Sequence, residues 1–245
     1  MFDVATHFNR AAHNYEKEAS VQELVGSYLL EMMAKEEGIR SFKDISLLEL
    51  GCGTARDCAL LIKQFAIKNY LGIDGAKKMY LTAKSYYQHH DAIDFSLQDF
   101  DDDLSAIGEY DILYANMSLH WSRDFKDLIH RVKLQLKQPG YLCFSIPLQH
   151  TFSELSDFRI NHFKSHASTI KLLADSGYEL CFSNELFEQV SFPSQLCQLK
   201  HLKKTGVDTY IGSKAYSLSS VRQYLNINKP ASLTYHIGVY ICAIR

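Results

Sequence analysis

The run Leu47-Leu48-Glu49-Leu50-Gly51-Cys52-Gly53-Thr54-Ala55 leaves this chain few folds to choose from. It reads as a buried strand that ends on an acid and passes straight into a glycine turn. A helix-compatible segment, Arg56–Phe65, follows. Glycine has no Cβ, so the backbone can turn tightly and a ligand can come close to it. The acid lies at the carboxyl end of the strand, where open α/β sheets bind their ligands.

Several nucleotide sites share such a turn. A dinucleotide fingerprint would be G-x-G-x-x-G or G-x-G-x-x-A. The sixth position here is Arg56, too large for close helix–strand packing. No G-x-x-x-x-G-K-[ST] string occurs, so a P-loop is absent. What remains, an acid, G-x-G and then the small Ala55, resembles motif I of the class I methyltransferases, which bind S-adenosylmethionine (SAM).

The rest of the chain has the rhythm of a parallel sheet. Strands are predicted at Ile45–Leu50, Tyr70–Asp74, Ile93–Leu97, Tyr110–Asn116 and Tyr141–Ile146. Helices are predicted at Arg56–Phe65, Ala76–Tyr87 and Phe125–Leu136, with a turn at Gln138-Pro139-Gly140. Short strands alternating with helices make a sheet covered on both faces, and right-handed crossovers make it doubly wound. Two helices precede it, near Asp3–Tyr15 and Val21–Glu36. After Pro147 the reading is helix at Phe152–His162, Thr169–Ser176, Ser194–Thr205 and Ser219–Leu225. Strands are read at Tyr178–Asn184, Leu186–Phe192 and Ala231–Ile244. The fold class expected from the class I resemblance is α/β: a doubly wound, mostly parallel, Rossmann-like sheet of seven strands. It carries N-terminal helices and a small helical insertion after strand five. The chain is expected to be one domain, 1–245. Within it, 1–40 form a helical cap, 41–147 the SAM-binding half, 148–230 an acceptor-side lid with strand six, and 231–245 the last strand.

Composition narrows the class of function. Apolar content of 47% and charged content of 22% suit an ordinary globular protein. A net charge of -2 gives no general pull toward nucleic acid or anionic lipid. No apolar run approaches 18 residues, and the N-terminus has no signal-peptide pattern, so a cytoplasmic protein off the membrane is expected. The six cysteines have neither C-x-x-C nor zinc spacing, so reduced thiols and no metal are expected.

Three strand ends supply candidate ligand contacts. Asp74 ends strand two, 23 residues after Gly51, where a carboxylate can accept from both ribose hydroxyls; it could equally cap the next helix. Asp99 and Phe100 follow strand three, where methyltransferases commonly read adenine; the run Asp99, Asp101, Asp102, Asp103 could equally be a solvated loop. Strand four ends in Asn116-Met117-Ser118-Leu119-His120-Trp121 instead of the Asn/Asp-Pro-Pro-Tyr string of amino-methylating enzymes. His120 could be a base by residue type, or a packing or hydrogen-bonding residue of the loop.

Longer stretches resemble one family, BioC, the malonyl-[acyl-carrier protein] O-methyltransferases of biotin synthesis. Phe8-Asn9-Arg10-Ala11-Ala12-His13-Asn14-Tyr15 is similar to its F-x-R-A-A-x-x-Y opening, and Asn116–Trp121 to its N-x-x-x-[QH]-W signature. Pro147–Phe158, Leu202–Val207 and Leu233–His236 resemble later elements of the family in the right order. The resemblance implies SAM as cofactor, S-adenosylhomocysteine as product, and methylation of a malonyl carboxylate on acyl carrier protein (ACP) or coenzyme A. It also implies that Arg10 and Tyr15 lie on a helix closing over SAM. Glu49, Gly51, Cys52, Gly53, Asp74, Gly75, Met79, Asp99, Phe100 and Asn116 would form the SAM pocket. Ala55 departs from the family, which often has Gly there.

A carboxylate is already ionised at neutral pH, so its methylation needs positioning and no general base. The positioning candidates are Tyr15, His120, Arg123 and Arg159. Between Lys200 and Lys229 lie six basic residues and one acid, Asp208. Of these, Lys200, Lys203, Lys204, Lys214 and Arg222 form the candidate surface for an acidic carrier protein. A monomer is expected. The alternatives are a quinone or polyketide methyltransferase, which would want a base, and a non-catalytic SAM-fold interaction protein.

Overall fold

The computed structural model describes residues 4–155, 163–206 and 229–245. In chain order the helices are α1 (Val4–Ala11), α2 (Tyr15–Glu18), α3 (Ser20–Met33), α4 (Glu37–Ser41), α5 (Arg56–Gln64), α6 (Lys77–Tyr86), α7 (Phe125–Lys133), α8 (His166–Asp175) and α9 (Gln195–Lys204). The strands are β1 (Ile45–Leu50), β2 (Ile67–Asp74), β3 (Ile93–Leu97), β4 (Tyr110–Asn116), β5 (Leu136–Pro147), β6 (Glu179–Phe192) and β7 (Ala231–Ile244).

These strands form one seven-stranded sheet in the order β3-β2-β1-β4-β5-β7-β6. The first five run parallel, and β7 pairs antiparallel with both β5 and β6. The order reverses between β1 and β4, which opens a crevice at their carboxyl ends. This is the doubly wound, mostly parallel sheet expected from the sequence.

Each sheet face buries its own core. Leu47 packs with Val25, Leu29 and Met33 of α3 and Leu61 of α5. Leu48 and Leu50 pack on the other face with Leu128, Ile129 and Val132 of α7. Successive side chains point to opposite faces, so a central strand covered on both sides must be apolar throughout. Ser46 and Glu49 are the exceptions in β1, and both are buried. No helix among the described residues is long and apolar enough to cross a membrane. All six cysteines are free.

Four local expectations need correction. The single helix over Asp3–Tyr15 is two, because the chain turns at Ala12–Asn14 and restarts at Tyr15. The helix expected to reach Leu136 stops at Lys133, since Leu136 pairs with Tyr110 in the sheet. Gln138-Pro139-Gly140 does not precede a strand; it bulges within β5, between Leu136 paired to Tyr110 and Tyr141 paired to Ile112. Tyr178–Asn184 and Leu186–Phe192 are one strand, β6. The polar Glu185 that interrupts the apolar pattern pairs with Gly238 and meets the ring of His236 at 2.6 Å. The helix read at Ser219–Leu225 lies outside the described residues, as does most of that read at Phe152–His162.

Candidate active site

The glycine turn is pinned to its neighbour before any ligand is considered. The N–H groups of Gly51 and Cys52 both donate to the Ile73 carbonyl, at 2.8 and 3.0 Å. The next residue of β2 is Asp74. Its Oδ2 accepts from the Gly53 N–H at 2.8 Å and its Oδ1 from the Ala76 N–H at 2.7 Å. Asp74 does not cap α6, whose N-cap is Ala76 with no side-chain bond. Instead it ties β2 to the turn after β1. A carboxylate offers about four lone-pair sites, so roughly two remain for a ligand.

Asp74 faces a cavity of about 370 Å³ at the carboxyl ends of β1, β2 and β4. Gly51, Gly53, Gly75 and Met79 line it on the turn side, and Asp99 and Phe100 from the end of β3. Phe8, Tyr15, Trp121 and Arg123 complete the rim. Phe8 meets the Trp121 ring edge-on at 5.5 Å, so α1 lies against the loop after β4. A Cβ on Gly53 would meet nothing within 4 Å. The turn therefore offers bare backbone to whatever occupies the space.

Burial raises the Asp74 carboxyl to about 6; its two backbone donors oppose this and Asp99 adds to it. The sign has two consequences. Free protein gains stability from this group as pH falls from about 6 toward 4, because the folded state then binds more protons than the unfolded one. A ligand that donates hydroxyls to the carboxylate loses affinity over the same range. SAM affinity is expected to be level above about pH 7 and to weaken roughly tenfold per unit well below 6. Calorimetric titration with SAM at several pH values checks this; affinity unchanged down to pH 4.5 would contradict it.

Beneath the turn lies a polar floor. Glu49 is buried and accepts a short hydrogen bond from the Tyr70 hydroxyl. Asp57 accepts from the Tyr114 hydroxyl at 2.8 Å and from the Asn116 amide at 2.9 Å. Gly26 of α3 lets that helix approach, since a Cβ there would stand 2.6 Å from the Asn116 amide nitrogen. Burial, helped by the charge of Asp57, holds the Glu49 carboxyl well above the usual range. Burial also raises Asp57, against its bonds to Tyr114 and Asn116. Both acids line a space of about 40 Å³ with Tyr15, Arg56 and Asn116. Two crowded, desolvated carboxylates make a site that a small cation would relieve.

The acidic loop after β3 is organised, not merely solvated. Asp101 accepts from the Ser122 hydroxyl at 2.6 Å and the Arg123 N–H at 2.7 Å. Its carboxylate also pairs with the guanidinium groups of Arg123 and Arg131, at 3.1 and 3.6 Å. Arg123 reaches Asp99 and Asp102 as well, at 3.8 and 3.6 Å. Arg56, too large for a dinucleotide fingerprint, leaves its helix toward the cap and donates to the carbonyls of Ala19 and Glu16, each at 3.0 Å.

The sequence-predicted residues thus separate by location. Tyr15, Gly51, Gly53, Asp74, Gly75, Met79, Asp99, Phe100, Asn116 and Arg123 line the large cavity. Glu49 and Cys52 line the floor space. Both ends of the Asn116 amide are taken by protein: Gln22 and Asp57 accept from it, and the Ser145 hydroxyl donates to it. His120 lines a third space behind Trp121. Arg10 is exposed and lines none of the three. Lys200, Lys203 and Lys204 are exposed on α9, while Arg159, Lys214 and Arg222 lie outside the described residues. The sequence reading gave no site role to Asp57, Ser118 or Phe8. Nothing local marks Asp57, a second residue of a helix. Burial pushes the His120 ring down to about 3, so it is neutral at physiological pH.

Comparison with known proteins bears on the family and the fold. The profile described as a methyltransferase domain matches residues 17–198. The malonyl-[acyl-carrier protein] O-methyltransferase 2 of Coxiella burnetii is 31% identical, covering 96% of this chain and 92% of its own. The malonyl-[acyl-carrier protein] O-methyltransferase of Calditerrivibrio nitroreducens is 27% identical, over 85% of this chain and 81% of its own. Among solved structures, the YcgJ protein of Bacillus subtilis superposes with a TM-score of 0.62 at 15% identity, covering 89% of this chain and 99% of its own.

Proposed function

This chain belongs to the methyltransferase-domain family, with malonyl-[acyl-carrier protein] O-methyltransferases among its relatives, and we propose that it methylates the free carboxylate of malonyl-ACP with SAM. The product would be the malonyl methyl ester that enters biotin synthesis. One observation carries the cofactor assignment: an acid with free lone pairs, Asp74, and a buried pair of acids, Glu49 and Asp57, flank one bare glycine turn. The first suits a ribose diol and the second an ammonium group. Asp99 and Phe100 are assigned to the base, the aromatic ring to its face and the carboxylate to its amine.

Bound SAM supplies an electrophilic methyl group: the ester C–O bond forms as the S–C bond breaks, and no proton moves. The protein's residues then have three tasks. The glycine turn and its acids hold the nucleoside. Phe8, Tyr15 and Trp121 cover the reacting end and keep water out. Phe8 belongs to α1, so the cap is part of the enclosure. Arg123 already has three carboxylate neighbours and is assigned to holding the Asp99–Asp102 loop. With its ring pushed down to about 3 by burial, His120 is too weakly basic to take a proton at neutral pH, which favours a carboxylate acceptor over one that needs a base.

Helix α9 follows β6 and contacts α1 and α2, so it stands beside the cap. Lys204 is tied to Glu18 at 2.6 Å, whereas Lys200 and Lys203 are exposed beside it. We assign Lys200 and Lys203 to steering an acidic carrier. Lys200→Glu with Lys203→Glu is expected to raise the KM for malonyl-ACP about tenfold at low salt and to leave a malonyl-pantetheine substrate unaffected. Equal effects on both substrates would remove this surface from the account. The reaction itself is tested by mass spectrometry of malonyl-ACP incubated with protein and SAM. One added methyl group is expected. Tight SAM binding without that mass shift would point to a different small-molecule acceptor.

A further inference from the structure

Phe8, Tyr15, Met117 and Trp121 line the large cavity and also a second chamber of about 20 Å³, so the two spaces share a wall. His120, Phe152 and Tyr235 belong to the chamber's remaining wall. Its free space accommodates about one water-sized group, which suits the end of a short acid and not a ring. The Thr151 hydroxyl donates to the His236 carbonyl at 2.7 Å, and the Tyr235 hydroxyl is 3.2 Å from the ring of His201. The buried Nδ1 of His120 has no hydrogen-bond partner among the described residues. Its ring is nonetheless held, 4.6 Å from Trp121 and 5.8 Å from Phe163. Buried polar atoms are almost always paired, and an exception needs a reason.

Resting on the reading that the acceptor is a malonyl thioester, we infer that this chamber seats the malonyl carboxylate and that His120 donates its ring N–H to it. A neutral donor fits the chemistry. It orients one oxygen without forming a full ion pair, so the other oxygen stays nucleophilic and the charge can be lost as the ester forms. The apolar walls work in the same direction, because they offer an ion little solvation.

Trp121 is the only tryptophan of the chain, so its emission reports on the chamber wall. Malonyl-pantetheine titrated into protein saturated with S-adenosylhomocysteine is expected to change that emission. His120→Ala should weaken binding of the probe about 10- to 100-fold, the range for a hydrogen bond to a charged group. His120→Gln, which keeps an N–H donor, should recover most of the loss. Affinity for S-adenosylhomocysteine and the thermal midpoint should hold in both variants. Equal probe affinity in wild type and His120→Ala overturns the inference. So does a parallel loss of nucleoside binding in both variants, which would make His120 a packing residue. Methyl transfer is read separately by mass. Probe binding through His120 without transfer would reject the enzymatic reading and keep the chamber; transfer with His120-independent binding would do the reverse.

Discussion

Asp74→Ala is expected to lower SAM affinity about 10²- to 10⁴-fold while the protein stays folded. The carboxylate holds the Gly53 and Ala76 N–H groups and has about two lone-pair sites left, facing the cavity. Two hydrogen bonds from a ribose diol to a charged acceptor are worth roughly 3–6 kcal/mol together. The stability cost should be smaller. Burial already disfavours the charge, as the raised carboxyl shows, so its removal relieves that penalty even as two backbone donors lose their acceptor. Those donors lie at a cavity that water can enter. Calorimetry with SAM and a thermal melt, run side by side, separate the two effects. An Asp74→Ala protein that binds SAM as wild type does would move the nucleoside out of this crevice altogether.

Gly51→Ala and Gly53→Ala should differ in kind, although the residues are two apart and both have positive φ, 74° and 56°. A Cβ on Gly51 would stand 2.6 Å from the Cβ of Ser118. Ser118 cannot yield easily, because it is buried and its hydroxyl donates to the Leu50 carbonyl at 2.6 Å. Backbone strain of about 1–2 kcal/mol and overpacking of about 1–3 kcal/mol would add. A chain of this size should then melt roughly 5–15 °C lower. At Gly53 the added methyl meets only open cavity, so the fold should lose the backbone strain alone, about 1–2 kcal/mol. Its cost falls on the ligand, whose approach to the turn it blocks. Thermal melts and SAM titrations of both variants test the contrast. A Gly53→Ala protein with normal SAM affinity would show that nothing packs against that turn.

The glycine turn could be read because local and global demands coincide there. The same residues that make a strand stop and a helix start also make room for a ligand. β1, β3 and β4 have the predicted bounds, since their apolar runs end at acids, glycines or Asn. The bounds after Lys133 were harder to read. Leu136 suits a helix as well as a strand, and only pairing with Tyr110 decides. Glu185 breaks an alternation that the long β6–β7 ladder tolerates, because the ring of His236, two residues from its partner Gly238 on β7, meets its carboxylate. Asp57 shows the same gap within the site. Its sequence context is that of any early helical acid, and its function in the floor depends on Tyr114 and Asn116, nearly sixty residues away.

The amino-acid order by itself determined the layered sheet, the glycine turn and the acids at the strand ends, because each of these follows from periodicity and spacing within one or two elements. Only the tertiary structure decided what those acids touch. It turned Asp74 from a possible helix cap into a brace for the turn, and it bound Arg123 into the Asp99–Asp102 loop. It also set Glu49 and Asp57 in one buried floor and left the His120 Nδ1 without a partner among the described residues, beside an apolar chamber. Such outcomes depend on desolvation and on neighbours distant in sequence, and both arise only when the helices close over the sheet.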